Sequence, residues 1–405
     1  MDHFVVALRL FGGLVALNIF AMVGCTTSQE NPSDNLLVKI LQDRQNPAVD
    51  SVMSDPGRFE LQILYTQINR DSNGSPTFVS HSYRLDTGAY FYPASTVKFP
   101  TALVALEKLK ELDIPATTPM LTDSIRPSQT AVTADSSAKD GLPSVAHYAR
   151  KIFLVSDNDA FNRLYEFVGQ GPLNQTLWDK GYQAIRLTHR LSIFLPPEEN
   201  RYTNPVRFIL PNGNPLNLPA QYNETHIPLP DPILKGRGEL IGDSVVREPK
   251  DFASKNFFPL QDQQDMLRAL IFPESVPVHQ RWDLRPADRQ LVLEAMSQLP
   301  GESQWPSYDP SDYYDSYVKF FMFGDSKEPM PKHIRIYNKV GVAYGYLTDN
   351  AYIVDEENEV EFFLSATLLV NRNGIFNDGN YEYDEIGFPF LAELGRAIHE
   401  HELTR

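Results

Sequence analysis

Across 405 residues there is a single cysteine, Cys25. No intrachain disulfide is possible, so the fold must be held by packing. Positive charge is also scarce: 36 Lys and Arg stand against 52 Asp and Glu, a formal net charge of −16. Nothing on that scale neutralises phosphates, which argues against nucleic acid or anionic lipid as the main partner. The nine histidines include no H-E-x-x-H, and His399 and His401 stand two apart, on different faces of a helix. "NRNGIFNDGNYEYDE", 371–385, is acidic and turn-rich but lacks the ligand spacing of a calcium loop. No metal and no other cofactor is expected. The longest apolar run, Leu10 to Val23, is interrupted by Asn18 and is short for a membrane span.

What is present is a globular composition: 42% apolar residues, enough for a proper core, and 31 prolines, which suggest long ordered loops. The amino terminus has Arg9, the short apolar run, then "MVGC", which looks like a lipobox with Met22 where leucine is usual. Residues 1–24 then read as a signal peptide, Cys25 as a lipidated first residue of the mature chain, and 25–35 as a polar tether. An ordinary signal peptide or signal anchor is the other reading. Both imply export to the cell envelope.

Beyond the tether, "LLVKILQ" puts Leu36, Leu37, Ile40 and Leu41 on one helical face. "RFELQILYTQI" alternates as a strand, "NRDSNGSPT" turns, and "FVSHSYRL" reads as a second strand. "YFYPASTVKFPTALVALEKL", 90–109, opens an apolar helix, and "SVAHYARKIFLVSDNDAFNRLYEFVG" is a helical run with a polar break at its centre. From about 194 the chain turns Pro- and Asn-rich, too long for a plain loop. Short helices resume at "LQDQQDMLRALIF" and "RPADRQLVLEAMSQL". "DYYDSYVKFFMF", 312–323, reads as a packing segment or a carbohydrate-facing wall. "HIRIYNKVG", "AYIV" and "VEFFLSATLLV" are strands, and "FPFLAELGRAIHEHEL" closes as a helix. Strands at both ends with helices between describe a chain that leaves a sheet and returns to it.

Three S-x-x-K patterns occur: Ser95/Lys98, Ser136/Lys139 and Ser316/Lys319. Only the first follows a strand and opens an apolar helix, where dipole and backbone N–H groups favour a developing anion. S-D-N occurs as Ser156-Asp157-Asn158 and, in the tether, as Ser33-Asp34-Asn35. K-x-G occurs at Lys339-Val340-Gly341 and at Lys139-Asp140-Gly141. In order and context, Ser95-x-x-Lys98, Ser156-Asp157-Asn158 and Lys339-x-Gly341 resemble the serine β-lactamase and penicillin-binding-protein superfamily, nearest to class A β-lactamases. The gap from Ser156 to Lys339 exceeds that of the family by roughly eighty residues, and the Pro/Asn-rich stretch falls in it.

The resemblance implies an α+β fold: a five-stranded antiparallel sheet flanked by helices, plus a helical lobe, over 36–405 with an insertion at about 194–304. It implies that Ser95 is the nucleophile, Lys98 its base, and Ser156 the relay to the leaving nitrogen. Asn158 would orient the substrate amide and Lys339 would face the substrate carboxylate. The N–H groups of Ser95 and Val342, beside Gly341, would form the oxyanion hole. Two departures stand out. Val340 replaces the hydroxyl expected after the last lysine. The deacylating glutamate, expected about 36 residues after the S-D-N serine, falls on Ser192; Arg190 matches that loop's arginine, and a short insertion would bring Glu198 or Glu199 in as the deacylation base, solvated loop acids being the other reading. The expected function is an exported serine hydrolase acylated at Ser95 by β-lactams or acyl-D-Ala-D-Ala-like peptides, with slow deacylation and no nucleic-acid partner. The alternative is a non-catalytic or weakly catalytic cell-wall-binding protein on the same fold.

Overall fold

The computed structural model describes residues 35–42 and 44–405. The lipid site at Cys25, the signal peptide and all of the tether before Asn35 lie outside the described residues. Five strands form the main sheet: β1 (Gln62–Arg70), β2 (Pro76–Tyr83), β3 (Ile334–Ala343), β4 (Tyr346–Asp355) and β5 (Val360–Leu369). Their order is β3-β4-β5-β1-β2, antiparallel throughout. The chain leaves the sheet after β2 and returns at β3.

Nine helices are described: α1 (Leu36–Gln42), α2 (Pro47–Ser54), α3 (Lys98–Glu111), α4 (Val145–Val155), α5 (Asn158–Val168), α6 (Gln170–Asp179), α7 (Leu260–Ile271), α8 (Pro286–Ser297) and α9 (Phe388–Thr404). Helices α1, α2 and α9 share one core with the sheet, built from Leu37, Val52, Leu391 and Ile398 with Ile63, Ile353 and Phe362. A second core joins α7 and α8 to the lobe of α3–α6 through Leu103, Phe153, Phe161, Leu267 and Val292. Burying each such side chain contributes about 1.5–3 kcal/mol. Because both faces of the sheet are covered, β1 departs from simple alternation: Leu64 and Thr66 are as buried as Ile63 and Tyr65. Gln264 of α7 explains it, accepting from the Thr66 hydroxyl at 2.6 Å and donating to the Leu64 carbonyl at 3.0 Å.

The helical run with a polar break is two helices. Helix α4 ends at Ser156, whose φ of 59° lies in the left-handed region. Asp157 then caps α5, its carboxylate accepting from the Ala160 N–H at 2.7 Å. The stretch 194–304 is not uniform either. Residues 206–209 and 215–218 form a small sheet with 120–122 and send Val206 and Phe208 into the lobe core. A ribbon of 238–241 and 244–246 pairs with 375–376. Helices α7 and α8 belong to the body of the fold, so the surplus chain is concentrated before Leu260. Motif spacing counts residues between sites and cannot see which of them are core.

Candidate active site

Ser95 sits in a single 3₁₀ turn, Ala94–Val97, from which α3 runs on. Because the α-helix starts at Lys98, Pro100 lies in its first turn, where its missing N–H has no intrahelical partner to lose. Phe91, Tyr92 and Ala94 anchor the turn in a small core with Phe252, Phe257 and Phe376. Ala94 has φ 48°, a strained value for a residue with a side chain. Ser192, Tyr344 and Asn377, which share the cleft with Ser95, are left-handed as well, and so is Ser156. Strain of this kind gathers at functional sites.

Lys98 is fully buried, and its ammonium reaches three acceptors: the Ser156 carbonyl, the Ser156 Oγ at 3.2 Å and the Asn158 Oδ1 at 2.6 Å. Burial draws its pKa down to about 7, against a small opposing pull from Asp157. Lys339 comes from β3 on the other side. Its Nζ donates to Ser156 Oγ at 2.8 Å, and burial, then the charge of Lys98, holds its pKa well below the usual lysine value. The Ser156 hydroxyl is therefore shared between two lysines whose pKa values burial lowers. The Ser95 hydroxyl makes no hydrogen bond among the described residues. Lys98 is not bonded to it.

Strand β3 abuts the Ser95 turn at Gly341. A Cβ there would stand 2.4 Å from the Pro93 carbonyl and 3.1 Å from the Ser95 nitrogen, so the close approach requires glycine. Val342, the next residue, lines the cleft with Ser95 and Asn158. The structure thus brings together Ser95, Lys98, Ser156, Asn158, Lys339, Gly341 and Val342 from three separate parts of the chain.

Residues 58–220 match the beta-lactamase enzyme family, a segment that includes Ser95, Lys98, Ser156 and Asn158. That segment is under half of the chain, and it is this segment that is similar to the family. Solved structures similar to this chain include a beta lactamase from Xanthomonas campestris (16% identity, 90% of this chain and 98% of that one, TM-score 0.48). Others are a beta-lactamase from Sphaerobacter thermophilus (14%, 90% and 96%, TM-score 0.48) and PBP-A (15%, 90% and 94%, TM-score 0.46). Among curated proteins none matches. The functional reading below rests on the family match and the site's geometry.

The loop after α6 is where the chain departs from the pattern expected of its motifs. Arg190 is buried and closes the loop, donating to Glu166 at 3.0 Å and to the Tyr202 carbonyl at 2.6 Å. Asn162 clamps Leu191 through both backbone groups at 2.9 Å. Ser192 then accepts from the Asn158 side-chain nitrogen at 2.8 Å. The structure does not bring Glu198 or Glu199 to the cleft. Glu199 is held by Arg126 and Ser128, whose hydrogen bonds keep its carboxylate below the usual range, and Glu198 pairs with Arg201 and the Tyr222 hydroxyl. A short insertion in the loop was expected to deliver either acid, and Arg190 and Asn162 fix the loop with both acids held away. Val340 also lies elsewhere than expected: it is buried in the core shared with α9, 4% exposed, and does not line the cleft.

Sequence reasoning passed over Glu166, Asn162, His189 and Lys255. His189 lines the cleft, but its Nδ1 bonds the Arg190 carbonyl at 2.6 Å, its Nε2 accepts from the Asn256 N–H, and burial lowers its pKa to about 4. It is a neutral, fully engaged wall residue. None of the four stands in a short motif, and only tertiary contact singles them out. Among the described residues there is no cluster of three or more His, Cys, Asp or Glu that could hold a metal.

Proposed function

We propose that the protein is a serine hydrolase acylated at Ser95 by β-lactams or acyl-D-Ala-D-Ala-like peptides, and that its acyl-enzyme is released slowly. The observation that carries this reading is the Ser156 hydroxyl held between Lys98 and Lys339 beside an unengaged Ser95. A neutral Lys98 has two N–H bonds and a lone pair, so one of its three present contacts gives way to the Ser95 O–H. Ser95 Oγ then bonds the carbonyl carbon while its proton passes to Lys98. The developing oxyanion lies toward the Ser95 and Val342 backbone. As the carbon–nitrogen bond breaks, Ser156 hands its proton to the leaving nitrogen and recovers one from a lysine.

Slow release is supported by Ser192 standing where an activating carboxylate is expected, with Glu198 and Glu199 committed elsewhere. Intact-mass spectrometry after exposure to a penicillin tests both parts. The expected result is a persistent added acyl mass on wild type and none on Ser95→Ala; rapid hydrolysis without an adduct would overturn slow release. The second reading, a binding protein on the old fold, draws on Lys98 making its hydrogen bonds to Ser156 and Asn158 and none to Ser95. It takes over if no β-lactam or D-Ala-D-Ala peptide gives either an adduct or hydrolysis. We also propose that Cys25 carries a lipid that holds the chain at the cell envelope, supported by its place after the short apolar run. Cys25→Ser should release the protein from membranes or block its processing, and an unlipidated terminus downstream of Cys25 would refute it.

A further inference from the structure

Two cavities meet at one lysine. The cleft around Ser95, about 410 Å³, and a neighbouring cavity of about 510 Å³ share His189, Ile193, Phe194 and Lys255. The second cavity is walled by Leu195, Pro196, Ile227 and Leu229, with Phe194 at the boundary 97% exposed. Lys255 is half-buried, and among the described residues its ammonium has no ion pair and no hydrogen bond. Burial and the nearby charge of Lys250 both lower its pKa, opposed weakly by Glu239. An ammonium that is partly desolvated without a partner is stabilised by any anion that reaches it.

The direction of this junction is informative. The loop carrying Ile193 and Phe194 is tied to Asn158 through Ser192. Lys339 is engaged with Ser156 and does not line the cleft. A substrate whose acyl-side amide lies at Asn158 therefore points its acyl substituent past Phe194, toward Lys255 and the apolar walls beyond.

We propose that the second cavity is an extended acyl-side subsite that takes a bulky apolar substituent bearing one anionic group, with Lys255 as the residue that recognises the anion. The proposal rests on acylation at Ser95 for its kinetic test, and its binding test does not. The probes are benzylpenicillin and the same penicillin with a carboxylate on its benzylic carbon. The readout is the ratio of their second-order acylation rates, followed by intact mass. Wild type should favour the carboxylated probe by about 10–100-fold, the range of a charge-assisted hydrogen bond. Lys255→Met should bring the ratio near one, and Lys255→Arg should keep most of it. A ratio near one in wild type, or one unchanged in Lys255→Met, overturns the proposal. If wild type forms no adduct with either probe, acylation fails and equilibrium binding of the carboxylated penicillin decides. Weaker binding to Lys255→Met than to wild type upholds the subsite, and equal or absent binding overturns it.

Discussion

Lys98 and Lys319 make an instructive pair. Each ends an S-x-x-K pattern, each is wholly buried, and each is surrounded by three oxygen acceptors, one of them an asparagine side chain. Burial brings both to a pKa of about 7. Yet Ser95 opens on the cleft with a free hydroxyl, while Ser316 is 2% exposed and donates to the Ser326 carbonyl. Lys319 bonds Met296, Ile336 and Asn338, and Asn338 in turn bonds the buried Asp349. It pins α8 to β3. A buried lysine with a lowered pKa is thus common to the candidate active site and to a structural joint. Access, and the freedom of the neighbouring serine, separate them.

The largest expected contrast breaks the pair at its serines and lysines. Ser95→Ala should abolish the penicillin adduct, whereas Ser316→Ala should leave it within about twofold and lower stability by about 1–3 kcal/mol, the cost of a stranded buried acceptor. Lys98→Ala should slow adduct formation by about 10²–10⁴-fold. Lys319→Met should instead act on stability, at about 1–3 kcal/mol for each acceptor left bare. Intact mass and urea denaturation read the two effects separately.

The next effect tests the loop. Ser192→Glu should shorten the life of the adduct by about 10²-fold, the low end of general-base assistance, since the left-handed backbone there disfavours a longer side chain. A lifetime unchanged in this variant would mean that deacylation is not limited by a missing base.

pH sharpens the comparison further. Acylation should rise about tenfold per unit below pH 7 and level off above it, because Lys98 must be neutral to accept the proton. Stability should follow both lysines. Between about 7 and the ordinary value of 10.5 the unfolded chain holds more protons than the folded one, so stability climbs with pH and falls as pH drops toward 7. Lys319→Met should flatten part of that climb without moving the acylation profile. The smallest effect concerns Val340: Val340→Thr should give no gain toward carboxylate-bearing substrates. A loss of about 1–3 kcal/mol in stability should appear in denaturation, because the hydroxyl is buried in an apolar core.

Much of this could be read from residue order. The strand–turn–helix around Ser95, the break at Ser156-Asp157 and the returning strands are local: they depend on periodicity, a capping aspartate and a few left-handed residues, all of which leave a mark within about ten positions. The strand pattern alone describes a chain that leaves a sheet and returns to it, and the five-stranded antiparallel sheet comes from the resemblance carried by the three motifs. What local pattern does not contain is which face a residue takes and what it meets there. Val340 is one position from Lys339 and points into a different core. Glu198 and Glu199 lie a few residues from Ser192, yet Arg126, Ser128 and Arg201 hold them away. Lys255 stands in an unpatterned Pro/Asn-rich stretch, and it matters because two cavities happen to meet at its ammonium. Such choices depend on partners far apart in the chain, brought together by burial, so they exist only once the two cores have closed.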